Sequence, residues 1–273
     1  MLETFMARFL RRSIIAAAMA VLGVAACTYN EELGRSQLLF TGPDSMAQAA
    51  ASSWEQLKTQ RTISNDPRYV SRLNRVAPRL IRAAGEDPSK WEYLVFEDPS
   101  LNAFALPGGR IGIHTGIMDI MKNDAQLAAV VGHEIAHVKY RHSAERYSQN
   151  VLASVGLGAA SIAVGANCEG TAAERRACEQ RSGALIQALG LGAIYGAILP
   201  YSRKHELEAD TGGVRYMARA GYDPCEAIRF WKQMQAASAG QARPPEFAST
   251  HPASETRIRN LTEIVRKQGR TCS

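Results

Sequence analysis

The sequence predicts an α+β fold, mostly helical, with a small β-sheet beside one central helix, and three observations carry that prediction. Apolar residues recur at helical spacing over residues 46–60 and 67–84, as in Val70, Leu73, Val76 and Leu80. Residues 91–96 and 110–114 are short runs rich in aromatic and branched side chains and read as strands, with a tight turn at Pro107-Gly108-Gly109 between them. Beyond them, Asn123-Asp124-Ala125-Gln126 has the form of a capping box, so a helix starts there. That helix runs through His133-Glu134-Ile135-Ala136-His137, which puts two imidazoles on one face with a carboxylate beside the first.

The elements follow in order from the N-terminus. Arg8, Arg11 and Arg12 precede an apolar stretch, residues 14–23, and the small-residue site Val24-Ala25-Ala26-Cys27, so residues 1–26 read as a signal peptide. The site resembles the lipobox of bacterial lipoproteins, in which the cysteine becomes the lipidated first residue of the mature chain, and Cys27 is the expected point of lipidation. Thr28 stands where an aspartate would resemble an inner-membrane retention signal, which points to the periplasmic face of the outer membrane. Residues 27–44, with Gly34, Gly42 and Pro43, read as a tether between lipid and domain, and residues 45–273 as one domain. Residues 151–166 and 183–200 are Gly/Ala-rich and uncharged, but short and weakly hydrophobic for a membrane span. They read as a buried helical hairpin.

With 273 residues and 46% hydrophobic composition the chain can build a sizeable core. Its net charge of +6 falls to +4 without the signal segment, which holds three arginines and one glutamate. No Lys/Arg run or aromatic-interleaved basic stripe is present, which argues against a nucleic-acid partner. Besides Cys27 there are Cys168, Cys178, Cys225 and Cys272. An even number in an exported chain fits two disulfides; of the three possible pairings, Cys168 with Cys178 and Cys225 with Cys272 are favoured.

Two histidines at i and i+4 can reach one metal ion, and Glu134 is placed to take a proton from water activated there. A catalytic zinc needs a third protein ligand, and Glu206 and Asp210 are four apart on an expected second helix. One of these carboxylates can bind metal while the other accepts the N–H of a ligand histidine. Glu208 projects about 200° away from Glu206 and reads as a solvated charge. His142 is expected to pair with Glu145 or to face the surface, and His205 and His114 to be structural or solvated.

Taken together, His133-Glu134-Ile135-Ala136-His137, Arg141-His142, Glu145, Ser202-Arg203 and Glu206-Leu207-Glu208-Ala209-Asp210 resemble the HtpX and CAAX prenyl protease family of zinc metallopeptidases. Asn102 to Gly109 and Ser249-Thr250-His251-Pro252 resemble further elements of that family. The resemblance covers about residues 45–265 and is nearest to the periplasmic lipoprotein and outer-membrane quality-control members. It implies a zincin-like metalloprotease domain with one Zn2+ per chain. His133, His137 and Glu206 would be the zinc ligands, Glu134 the general base and acid, and Asp210 the partner that orients a ligand. His251 would be a gate, a reversible fourth ligand or an oxyanion stabiliser. The strand Arg110, Ile111, Gly112 and Ile113 would be the exposed edge that holds an extended substrate through main-chain hydrogen bonds.

The expected function is that of a zinc-dependent endopeptidase acting on unfolded or misfolded envelope polypeptides, held to the membrane by its lipid anchor. A chaperone or assembly factor for outer-membrane proteins, using the same groove with little proteolysis, is the alternative. An integral-membrane peptidase and a structural zinc protein are further rivals. Substrate, cleavage specificity and oligomeric state are not specified by the sequence.

Overall fold

The computed structural model describes residues 27–165, 171–193, 199–238, 251 and 255–272. The expected signal peptide, residues 1–26, lies outside them, as does Cys168.

The chain divides into two compact units, one made of residues 1–42 and 144–191 and the other of residues 43–143 and 192–273. The first begins with strands β1 (Cys27–Asn30) and β2 (Arg35–Leu38), paired antiparallel with Cys27 opposite Leu38. Two thirds of the expected tether, residues 27–38, is therefore a hairpin, and it has a specific seat. Arg35 grips Glu145 with two hydrogen bonds of 2.7 and 2.8 Å, and Gln37 donates a third at 2.7 Å. Glu145 is thus engaged by the hairpin, whereas the sequence suggested His142 as its partner. Helix α5 (His142–Gly165), from residue 144 on, and α6 (Ala172–Ala193), up to residue 191, complete this unit. Neither is a buried hairpin helix over its described side chains: Leu152 and Val155 are each 56% exposed, Leu185 48% and Leu189 45%. Among the described residues no helix is long and apolar enough to cross a membrane. Cys178 is disulfide-bonded.

The second unit opens with α1 (Pro43–Gln60), which buries Ala50 and Trp54. In α2 (Pro67–Ala83), Asp66 caps the start by accepting from the Arg68 N–H at 2.8 Å, Pro67 sits where no donor is needed, and Leu73, Val76, Ala77, Leu80 and Ile81 form the buried stripe. Strands β3 (Glu92–Phe96), β4 (Ala103–Leu106) and β5 (Arg110–His114) form one sheet in the order β3-β5-β4. The parallel pairing joins β3 to β5 and the antiparallel pairing β4 to β5. Arg110, Ile111, Gly112 and Ile113 therefore lie in the central strand, not at an edge. The exposed-edge reading passes to β4, whose four residues Ala-Phe-Ala-Leu carry too weak an alternation to read as a strand.

After the short helix α3 (Thr115–Asp119) comes α4 (Asp124–Lys139), capped as the sequence indicates. Asn123 accepts from Gln126 N–H at 2.9 Å, and the Gln126 side chain reaches back to accept from Lys122 N–H at 2.9 Å. Residues 126–137 of this helix are all buried, the mark of a helix covered on every side. Helix α7 (Leu199–Arg219) crosses it so closely that a Cβ on Gly213 would stand 2.9 Å from the His133 backbone nitrogen. Only glycine permits that approach, and it brings the carboxylates of α7 to the histidines of α4. Helices α8 (Cys225–Ser238) and α9 (Glu255–Lys267) close the layer. The Cys225–Cys272 disulfide forms as favoured from the sequence. Spanning 47 residues, it stabilises the fold by about 4 kcal/mol in the chain-entropy picture.

Candidate active site

Helix α4 points His133 and His137 toward α7, and their Nε2 atoms stand 3.0 Å apart. The two oxygens of Glu206 lie 3.3 Å from His133 Nε2 and 3.3 Å from His137 Nε2. His251 completes the group, with Nδ1 3.2 Å from His133 Nε2 and 3.0 Å from Glu206 Oε2. All four are buried or nearly so. The sequence-derived ligand set thus converges, and His251 joins it.

The donor chemistry fits a divalent cation. Nδ1 of His133 is 3.0 Å from Asp210 and Nδ1 of His137 is 2.9 Å from His142, so both Nε2 atoms are left to face each other and a carboxylate with lone pairs. Glu206 Oε1 is buried with no hydrogen-bond donor among the described residues. A tetrahedral zinc with bonds of about 2.0–2.1 Å sets its ligand atoms about 3.3–3.4 Å apart, close to the spacings found. Without the ion these groups are electrostatically coupled. Burial alone would depress His133, but the hydrogen bonds it donates to Asp210 and Glu206 outweigh it and raise its pKa to about 9. His137 is pushed well below its ordinary value by burial. Burial works to raise Glu206, yet the neighbouring His251 and His137 hold it well below the carboxylate range.

Asp210 is oriented in turn. Arg257 binds it at 2.7 and 2.5 Å, lies 3.1 Å from Glu206 and stacks 3.8 Å over the Trp231 ring. Burial works to raise the Asp210 pKa, and the Arg257 guanidinium more than reverses it. Sequence reading missed Arg257, although a signal was there. In α9 the buried stripe is Arg257, Leu261 and Val265, an arginine where an apolar residue is due.

Glu134 is buried, and burial raises its pKa, while His251, His133 and a hydrogen bond from the Ala105 backbone N–H pull it down. Its Oε1 lies 3.5 Å from His251 Nε2. The Ala105 contact fixes which edge adjoins the site. His114 N–H donates to Asn102 O, so by antiparallel alternation residues 104 and 106 pair with β5 while Ala103 and Ala105 turn their N–H and C=O groups outward.

Residues 67–265 match the sequence profile of peptidase family M48. The chain belongs to this family. It is similar to mitochondrial metalloendopeptidase OMA1 of Schizosaccharomyces pombe, 40% identical over 197 residues, covering 71% of this chain and 52% of that protein. OMA1 of Saccharomyces cerevisiae is 33% identical over 237 residues, covering 79% and 61%. The beta-barrel assembly-enhancing protease of Escherichia coli K12 is 30% identical over 208 residues, covering 74% and 40%. The chain thus spans only 40 to 61% of the length of these relatives. These relatives carry the names metalloendopeptidase and protease, and in this chain His133, His137, Glu206 and His251 form a group that could hold a metal ion.

Among the remaining described histidines, His142 departs from its expected place. His114 is fully buried, 2.7 Å from Ser100 Oγ and 3.0 Å from Arg61, a structural residue of the sheet. His205 is fully buried as well, its ring stacked 4.2 Å from that of His142. His142 faces neither Glu145 nor solvent but bridges His137 and Glu208, so Glu208 is not a solvated charge.

Proposed function

We propose that this chain is a zinc-dependent endopeptidase of the bacterial cell envelope, anchored by lipid at Cys27 on the periplasmic face of the outer membrane, where it hydrolyses unfolded or misassembled envelope polypeptides. The observation that carries this reading is the convergence of His133, His137 and Glu206 with Glu134 beside them and a sheet edge against Glu134. The beta-barrel assembly-enhancing relatives support the envelope setting, and the lipobox-like Val24-Ala25-Ala26-Cys27 supports the anchor.

Bound by the two imidazoles and the carboxylate, zinc would supply Lewis acidity toward a peptide carbonyl and acidify water. Glu134 then acts as base toward the attacking water and returns the proton to the leaving amine nitrogen. Burial lifts its pKa, which makes the carboxylate a better proton acceptor than a solvated one. The edge main chain of β4 offers the outward C=O of Ala105 to an extended substrate, so unfolded segments are preferred over particular sequences.

His251 favours a second state of the same site. At 3.0 Å from Glu206 it would serve as a fourth ligand, which would close the centre to water and leave the groove to bind more than to cleave. Metal content and chelator-sensitive cleavage of casein by wild type, Glu134→Gln and His251→Ala test both readings. Zinc near one per chain is expected, with a loss of at least about 100-fold in Glu134→Gln and a rise in His251→Ala. Chelator-insensitive cleavage, or equal activity of wild type and Glu134→Gln, sinks the mechanism, and a fall in His251→Ala sinks the gate.

A further inference from the structure

Two residues that the zinc chemistry does not use directly lie in line behind His137. His142 Nδ1 is 2.9 Å from His137 Nδ1, and His142 Nε2 is 3.1 Å from Glu208 Oε2. The proton count along this line is determined. His137 turns Nε2 toward His133 and Glu206, so a neutral His137 that offers this nitrogen to metal carries its proton on Nδ1. That N–H donates to His142 Nδ1, which must accept. A neutral His142 then carries its own proton on Nε2 and donates it to the Glu208 carboxylate.

We propose that His142 and Glu208 form a positioning relay that fixes the tautomer and ring plane of His137, as Asp210 does directly for His133. The carboxylates of both supports, Asp210 and Glu208, come from one helix, α7. Glu206 and Asp210, four apart, share the face toward the α4 histidines, while His205 and Glu208, three apart, share the face toward His142. The stacked ring of His205, only 13° from parallel, holds the plane of His142 so that its two nitrogens point along the line. A lone carboxylate supports one ligand, and a histidine plus a carboxylate support the other.

The same three residues, His142, His205 and Glu208, lie close enough to suggest a second metal site. Their geometry argues against it. Lone pairs of stacked, nearly parallel imidazoles run side by side and do not converge on one ion. The proton on His142 Nε2, required by His137, also blocks the nitrogen that such an ion would need.

This inference rests on His133, His137 and Glu206 holding zinc, and the test separates the two. Zinc dissociation constants are measured by chelator competition for wild type, His142→Leu, His142→Gln and Glu208→Leu, with thermal unfolding of each metal-free protein alongside. His142→Leu should weaken zinc about 10- to 100-fold. His142→Gln, whose amide oxygen accepts and whose amide N–H donates, should stay within about threefold of wild type. Glu208→Leu should fall between the two. With cobalt in place of zinc, the visible absorption bands should shift in His142→Leu and stay in His142→Gln. Unchanged zinc affinity in His142→Leu, or an equal loss in the Leu and Gln variants, overturns the relay. Should His142→Leu not fold, Glu208→Leu decides: wild-type affinity there overturns the relay as well. A wild type that binds no zinc overturns instead the ligand set on which the relay depends.

Discussion

Helices α4 and α5 follow each other with only Tyr140 and Arg141 between them, and they share an apolar, alanine-rich composition, yet they have opposite fates. Residues 126–137 of α4 are all buried, with α7 pressed against Gly132. The described side chains of α5 beyond Ser148 are exposed or partly so, and Gly156 and Gly158 have nothing within 4 Å of where a Cβ would stand. Composition alone does not bury a helix. What α4 has, and α5 lacks over that stretch among the described residues, is a partner helix whose small residues match its own, and this is what makes α4 rigid enough to hold two metal ligands in register.

The contrast can be broken by making one change in both helices. Leu127→Ala in α4 removes a fully buried side chain and should cost about 2–5 kcal/mol. Leu152→Ala in α5, where the side chain is 56% exposed, should stay within about 0.5 kcal/mol. Denaturant titration of the two variants reads the difference, and equal losses would mean that α5 is as well covered as α4. A smaller but sharper pair uses glycine. Gly213→Ala sets a Cβ 2.9 Å from the His133 backbone nitrogen and should cost about 1–3 kcal/mol while weakening metal binding. Gly158→Ala meets nothing and should stabilise by up to about 1 kcal/mol through helix propensity. One substitution with two signs is the expected outcome, and stabilisation in both would show that the α4–α7 contact can give way.

The same contrast marks what the sequence discloses. Residues His133, Glu134, His137, Glu206 and Asp210 were legible because their spacing is a property of single helices: i, i+4 geometry holds whatever the tertiary fold. His251 was legible only through resemblance, since nothing local places a loop histidine at a site more than a hundred residues away. The misassigned sheet edge has a topological cause. Strand β5 has the stronger strand pattern because it is central and buried, and the edge strand β4 has the weaker pattern because it is not. Arg257, His142 and Glu208 were missed or misread because charged and polar residues were assigned to solvent by default, whereas here a coupled buried network satisfies them.

For His142 the misreading has one backbone cause, and it yields a last prediction. A helical wheel that continues past His137 carries His142 well round the axis. The chain does not continue: α4 ends at Lys139, and Arg141 takes φ +55°, the left-handed region that closes many helices. That single residue turns the chain so that His142 starts α5 with its ring back against His137. A β-branched residue tolerates this conformation less well than arginine, so Arg141→Val should cost about 1 kcal/mol. The loss is expected at the joint of the two helices, not within either. Zinc affinity should therefore fall with it, because His142 loses its alignment on His137. If Arg141→Val lowers stability with zinc affinity intact, the left-handed turn serves the fold alone, and the placement of His142 depends on its stacking against His205.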